Sequence, residues 1–198
     1  MTKNKTLKLI ENAVLDPALF LLAVVVGHCL WHLLFPSTTL ESANVLLFDR
    51  FDITHIAYRF QSMLSNHVYH CAQWFNHDVL RNDLTIFIPE HSGSYIAWGC
   101  TGVKQAIIFC IAILTARGKH IHKLWFIPCG IIVLYFVNVI RVVIVFFVGA
   151  FHYEYFTLMH DQVLKIGYYV IIFFIWWIWQ KAFNPKYNLN VLISQQDK

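Results

Sequence analysis

Charged side chains are the scarcest class in this sequence. Asp, Glu, Lys and Arg make up 13% of its 198 residues, about half the share of a soluble domain, while 58% are hydrophobic. That balance excludes an ordinary soluble fold and makes the chain an integral membrane protein, with the lipid bilayer as its first partner. Cysteine is sparse as well. There are five, an odd number, and Cys29, Cys110 and Cys129 lie inside apolar runs, which argues against a disulfide framework. The net charge of +4 is scattered along the chain, so nothing points to nucleic acid. The first apolar run lacks the small-residue cleavage pattern of a signal peptide and reads as a retained anchor.

The hydrophobic runs define the architecture. The pattern predicts an all-α polytopic membrane protein, one embedded domain over 1–198, with about four transmembrane helices at 18–35, 100–116, 124–149 and 163–180. The aromatic share of 17%, with a Trp-rich end to the last span, suits rings at bilayer interfaces. Between 36 and 99 no apolar run reaches membrane length. The apolar spacing from Val45 to Leu80 predicts one or two amphipathic helices on the membrane surface. Leu84 to Ile88, a Pro89–Gly93 turn and Ser94 to Trp98 then read as a β-hairpin leading into Cys100, with an edge able to pair with an extended substrate.

Orientation follows from the basic residues. The N-terminal segment, the 117–123 loop and the C-terminal end each hold three Lys or Arg; the longer 36–99 segment holds three, and 150–162 holds none. The positive-inside rule puts both termini, the polar tail 184–198 and the 117–123 loop in the cytoplasm. Segments 36–99 and 150–162 are then extracytoplasmic.

Three chemically useful side chains fall on that outer side. Cys100 stands between Gly99 and Gly102 at the start of a span, where a helix N-terminus favours thiolate and glycine permits close approach. Arg141 is a charge inside an apolar run, which is costly and usually functional. Seventeen residues from Leu124, it lies about 25 Å up its helix. The apolar stretch Val142 to Ala150 overshoots a straight span, and a tilt, a break near Asn138 or a re-entrant turn would absorb it. His160 precedes the last span. Asn138 shares the helical face of Arg141, and Lys104 lies one turn below Cys100, placed either to tune the thiol or to snorkel.

Cys100-Thr101-Gly102, Asn138-Val139-Ile140-Arg141 and His160, in that order, resemble the Cys, Asn-x-x-Arg and His motifs of the exosortase/archaeosortase family. The likeness covers roughly 84–180, and His160 brings the chain closer to exosortases than to archaeosortases, which carry arginine there. The resemblance implies a membrane-embedded cysteine peptidase or transpeptidase of the inner (cell) membrane, needing no cofactor. Its substrates would be proteins ending in a short motif, a membrane helix and a basic tail. Cys100 would be the nucleophile, His160 the proton carrier and Arg141 the oxyanion partner, with Asn138 and Lys104 in support. Two other readings compete. His67, His70, Cys71 and His77 share a helical face that would suit zinc or copper. Alternatively, Cys100 and Arg141 merely pack and pair in a non-enzymatic partner in envelope export. A serine hydrolase built on Ser92 or Ser94 with His91 is weaker, because turn chemistry accounts for those residues.

Overall fold

The computed structural model describes residues 2–36 and 44–184, with side chains from Leu15 onward except that of Asp161. The polar tail beyond Asn184 lies outside the described residues.

Among the described residues three helices are long and apolar enough to cross a membrane, and they fall where the runs predict. Helix α1 spans Thr2–Leu34, with its apolar part from Leu15 to Leu34. After a two-stranded ribbon (β1, Leu46–Leu47; β2, Phe51–Asp52) comes α2, Thr54–Gln73. Strands β3 (Leu80–Asn82), β4 (Thr85–Phe87) and β5 (Ser94–Tyr95) follow, then a 3-10 turn, Trp98–Cys100. Helix α3 is Val103–Thr115, α4 is His120–Phe151, and a short turn α5 (Phe156–Leu158) leads through a π-helical turn, Met159–Val163, into α6, Leu164–Phe183. The protein is thus a mostly helical, multi-pass membrane protein. The expected span at 100–116 is shorter than predicted: α3 has 13 residues, about 20 Å, because Cys100 to Gly102 belong to the preceding turn.

Packing divides the molecule into two main cores. Phe20, Phe109, Ile113, Leu134, Tyr168, Ile172, Trp176 and Trp179 form one inside the α1, α3, α4 and α6 bundle. The short α3 is closed at its far end by Lys123, whose Nζ donates to the carbonyls of Leu114 (2.8 Å) and Ala116 (2.6 Å). These are carbonyls that a helix end leaves unpaired. The second core joins Leu64 and Val68 of α2 and Ile86, Ile88 and Ile96 of the sheet to Val139, Val142, Val143 and Phe146 of α4.

That second core corrects the reading of α4. The helix runs unbroken for 32 residues, about 48 Å, against a hydrocarbon thickness of about 30 Å. Neither a break at Asn138 nor a re-entrant turn takes up the excess. The last third leaves the bundle and becomes the spine of a cap built from α2 and the sheet. Protein, not lipid, covers Val142, Val143, Val145 and Phe146.

The expected hairpin is present and larger than predicted. Thr85 pairs with Tyr95 and Ile86 with Ser94, while Leu80 to Asn82 add a third antiparallel strand. Asp83 makes the β3–β4 turn with φ of 53°. The sheet is held on both sides: Gln61 Nε2 of α2 donates to Ile96 O (2.9 Å), Ser65 Oγ to Asp83 O (3.0 Å), and Ser92 Oγ to Gly149 O of α4 (2.6 Å). Clamped in this way, the chain leaves β5 directly into the turn that carries Cys100.

Candidate active site

The turn around Cys100 is tied at several points. The Cys100 amide donates to Ala97 O (2.9 Å), the Thr101 amide to Trp98 O (3.1 Å), and the buried Thr101 hydroxyl to the same Trp98 carbonyl (2.7 Å). Gly102 then takes φ of +80°, a left-handed conformation that a side chain resists. A Cβ there would also lie 3.2 Å from Asn138 Cγ, so the glycine lets α4 come close. Across that approach Asn138, 1% exposed, donates from Nδ2 to the Cys100 carbonyl at 2.8 Å.

Cys100 is partly buried against the cap core, and Asn138 and Arg141 lie one helical turn apart on α4 where the bundle core meets the cap core. Burial is the leading influence on the thiol and pushes its pKa up; the Arg141 guanidinium and a backbone hydrogen bond to the thiol at Ala97 pull it down. The expectation of a helix-stabilised thiolate is therefore corrected. Cys100 sits in the 3-10 turn ahead of α3, and its burial outweighs the pull of the guanidinium. Arg141 is partly buried. Its Nε is fully buried without an acceptor, and among the described residues no carboxylate pairs with it. Its charge also reaches Tyr168 and Tyr169 of α6.

Of the residues singled out in the sequence, Cys100, Asn138 and Arg141 come together. Asn138 holds the cysteine turn and makes no bond to Arg141. His160 stands on the π-helical turn at the head of α6, a kind of helix defect frequent at functional sites. Its ring stacks on Phe156, with centroids 5.6 Å apart, and Phe156 lies against Gly149 of α4. No hydrogen bond joins His160 to Cys100 among the described residues. Lys104 is absent from the charges felt at the thiol; its charge is felt at His28. Tyr168 and Tyr169, near Arg141, were missed in the sequence because paired tyrosines in a span read as interface rings.

The competing constellations do not assemble. Among the described residues no three His, Cys, Asp or Glu could hold a metal, and His67 instead bonds the Tyr135 hydroxyl at 2.6 Å. Ser92 is committed to Gly149 O, while His91 turns to Pro89 O and the Phe151 ring.

No curated protein and no solved structure matches the chain. The family model described as transmembrane exosortase matches residues 5–179, which takes in the cap, the cysteine turn, Arg141 and His160. The chain belongs to the transmembrane exosortase family.

Proposed function

We propose that the protein is a membrane-embedded cysteine peptidase or transpeptidase that processes C-terminal sorting signals, with Cys100 as nucleophile. Family membership supports a membrane protease or transpeptidase of sorting signals in general. The observation that carries the finer reading is the bond from buried Asn138 to the Cys100 carbonyl, beside a guanidinium that pairs with no carboxylate among the described residues.

A thiol raised by burial needs a base at the moment of attack. His160 takes the proton as Cys100 Sγ bonds to the scissile carbonyl carbon. The carbonyl π electrons move to oxygen, and the Arg141 guanidinium, which cannot itself act as a base, stabilises that oxyanion. Collapse expels the amine, which takes the proton from His160, and leaves a thioester on Cys100. An acceptor then attacks the thioester, gives its proton to His160 and releases the thiol. Water as acceptor makes a protease; an amine makes a transpeptidase. Asn138 acts as a positioning residue for the turn, and Lys104 takes no part in the steps. The expected orientation puts the cap and site on the extracytoplasmic face of the inner membrane. Substrates are proteins anchored by a C-terminal helix and basic tail behind a short motif.

Hydroxylamine tests the thioester. Added to membranes during processing, it should divert wild-type products to C-terminal hydroxamates and give none with Cys100→Ala. Continued processing by Cys100→Ala would overturn the assignment.

A further inference from the structure

Lys104, unused by the chemistry above, belongs to a group of basic side chains that three helices bring together. Gly27 of α1 meets α3 so closely that a Cβ on it would fall 2.6 Å from Ile108 Cγ1. His28 follows Gly27, and Lys104 lies one turn before Ile108, so this contact brings the end of α1 beside the first turn of α3. His32 sits one turn after His28, their ring centroids 4.7 Å apart. Lys165, the second residue of α6, completes the group. The charges of Lys104, His32 and Lys165 all reach His28, and that of Lys165 reaches Lys104. His28, His32 and Lys165 are exposed, Lys104 partly so, and among the described residues none of the four forms an ion pair with a carboxylate.

Left to itself this arrangement is unfavourable. Like charges repel, and Lys104 stands in the first turn of α3, the end that already carries positive partial charge. Snorkelling accounts for a single lysine near a helix end. It does not account for two lysines and two imidazoles, from three helices, within electrostatic reach of one another. They need an anion.

The position identifies which anion. The C-terminal end of α1 and the N-terminal ends of α3 and α6 share the cap side of the bundle, at headgroup level, where phospholipid phosphate is the abundant anion. At Ile166, the residue after Lys165, begins an apolar groove of about 340 Å³ between α6 and α1, lined also by Pro17, Phe20, Leu21, Tyr169, Val170 and Phe173. A charged head next to an apolar slot open to the bilayer fits a lipid better than a free ion or a soluble peptide. We infer that His28, His32, Lys104 and Lys165 bind the headgroup phosphate of an anionic phospholipid, with one acyl chain in the α1–α6 groove. The inference is independent of the thiol chemistry.

Purified full-length protein in a neutral maltoside detergent would be melted with added phosphatidylglycerol, phosphatidylcholine or inorganic phosphate. Phosphatidylglycerol should raise the wild-type Tm by roughly 4 °C or more, as expected of a ligand that binds the folded state alone. The other two additions should leave it nearly unchanged. Replacing all four side chains by glutamine should remove most of the shift. The exposed pair His32→Gln with Lys165→Gln, which any fold defect should spare, should remove about half. Val170→Trp, which fills the groove and keeps every charge, should also weaken the response. An equal response to phosphatidylcholine, an undiminished response in the exposed-pair variant, or the full shift from inorganic phosphate would each overturn the lipid site.

Discussion

At Cys100 burial against the cap pushes the thiol above its ordinary range while the Arg141 guanidinium draws it down, and burial is the stronger influence. Alkylation by iodoacetamide should therefore rise only at alkaline pH. Arg141→Gln removes the lowering influence, so its inflection should move to still higher pH and its rate at pH 8 should fall. Arg141→Lys keeps the charge and should leave the inflection near wild type. The lysine loses the planar fork, however, so processing should drop about 10²-fold, the scale of one lost oxyanion donor. An unshifted profile in Arg141→Gln would remove the arginine from the thiol's surroundings. Asn138→Ala strands the buried Cys100 carbonyl and should cost about 1–3 kcal/mol of stability, read from thermal unfolding, with a larger loss of processing than of expression. These residues were legible in the sequence because each breaks a local rule: a cysteine framed by glycines, and a charge with an amide one turn away inside an apolar run. The bond between Asn138 and the Cys100 carbonyl was not legible, since it spans 38 residues and depends on how closely Gly102 lets α4 approach.

Among the elements, α4 carries the main lesson. Its run of apolar residues is the same whether lipid or protein surrounds it, so hydropathy alone extends the span through Val142 to Ala150. Packing decides otherwise: Phe146 is 1% exposed against the cap, whereas Phe136, lower on the same helix, is 61% exposed. Phe146→Ala should cost about 3–5 kcal/mol and open the cap to limited proteolysis, while Phe136→Ala should change protease resistance little. Equal sensitivity at both positions would return the outer third of α4 to the membrane. The sheet was legible in its period-2 pattern, but β3 was not. Arg81-Asn82-Asp83 reads as a chain break until Asp83 is seen to turn the strand back at φ of 53°. The π-helical turn bearing His160 has no composition signal and comes from how α5 and α6 join.

For the whole molecule, multi-pass architecture was written in composition and run length, and the distribution of Lys and Arg sets the expected orientation. Tyr153→Cys, at an exposed site on the cap side, should react with a membrane-impermeant maleimide in spheroplasts, and Lys119→Cys should react only after permeabilisation. The reverse pattern would place the cap in the cytoplasm. The account stands most directly on whether Cys100 changes the C-termini of other membrane proteins. Membrane proteomes of cells carrying wild type or Cys100→Ala would be compared at their C-terminal peptides. A defined set should keep its C-terminal helix and basic tail only with the variant, and the wild-type ends of that set would mark the cleavage motif. Identical C-termini in both strains, with the variant stably present in the membrane, would contradict the assignment of Cys100 as a processing nucleophile.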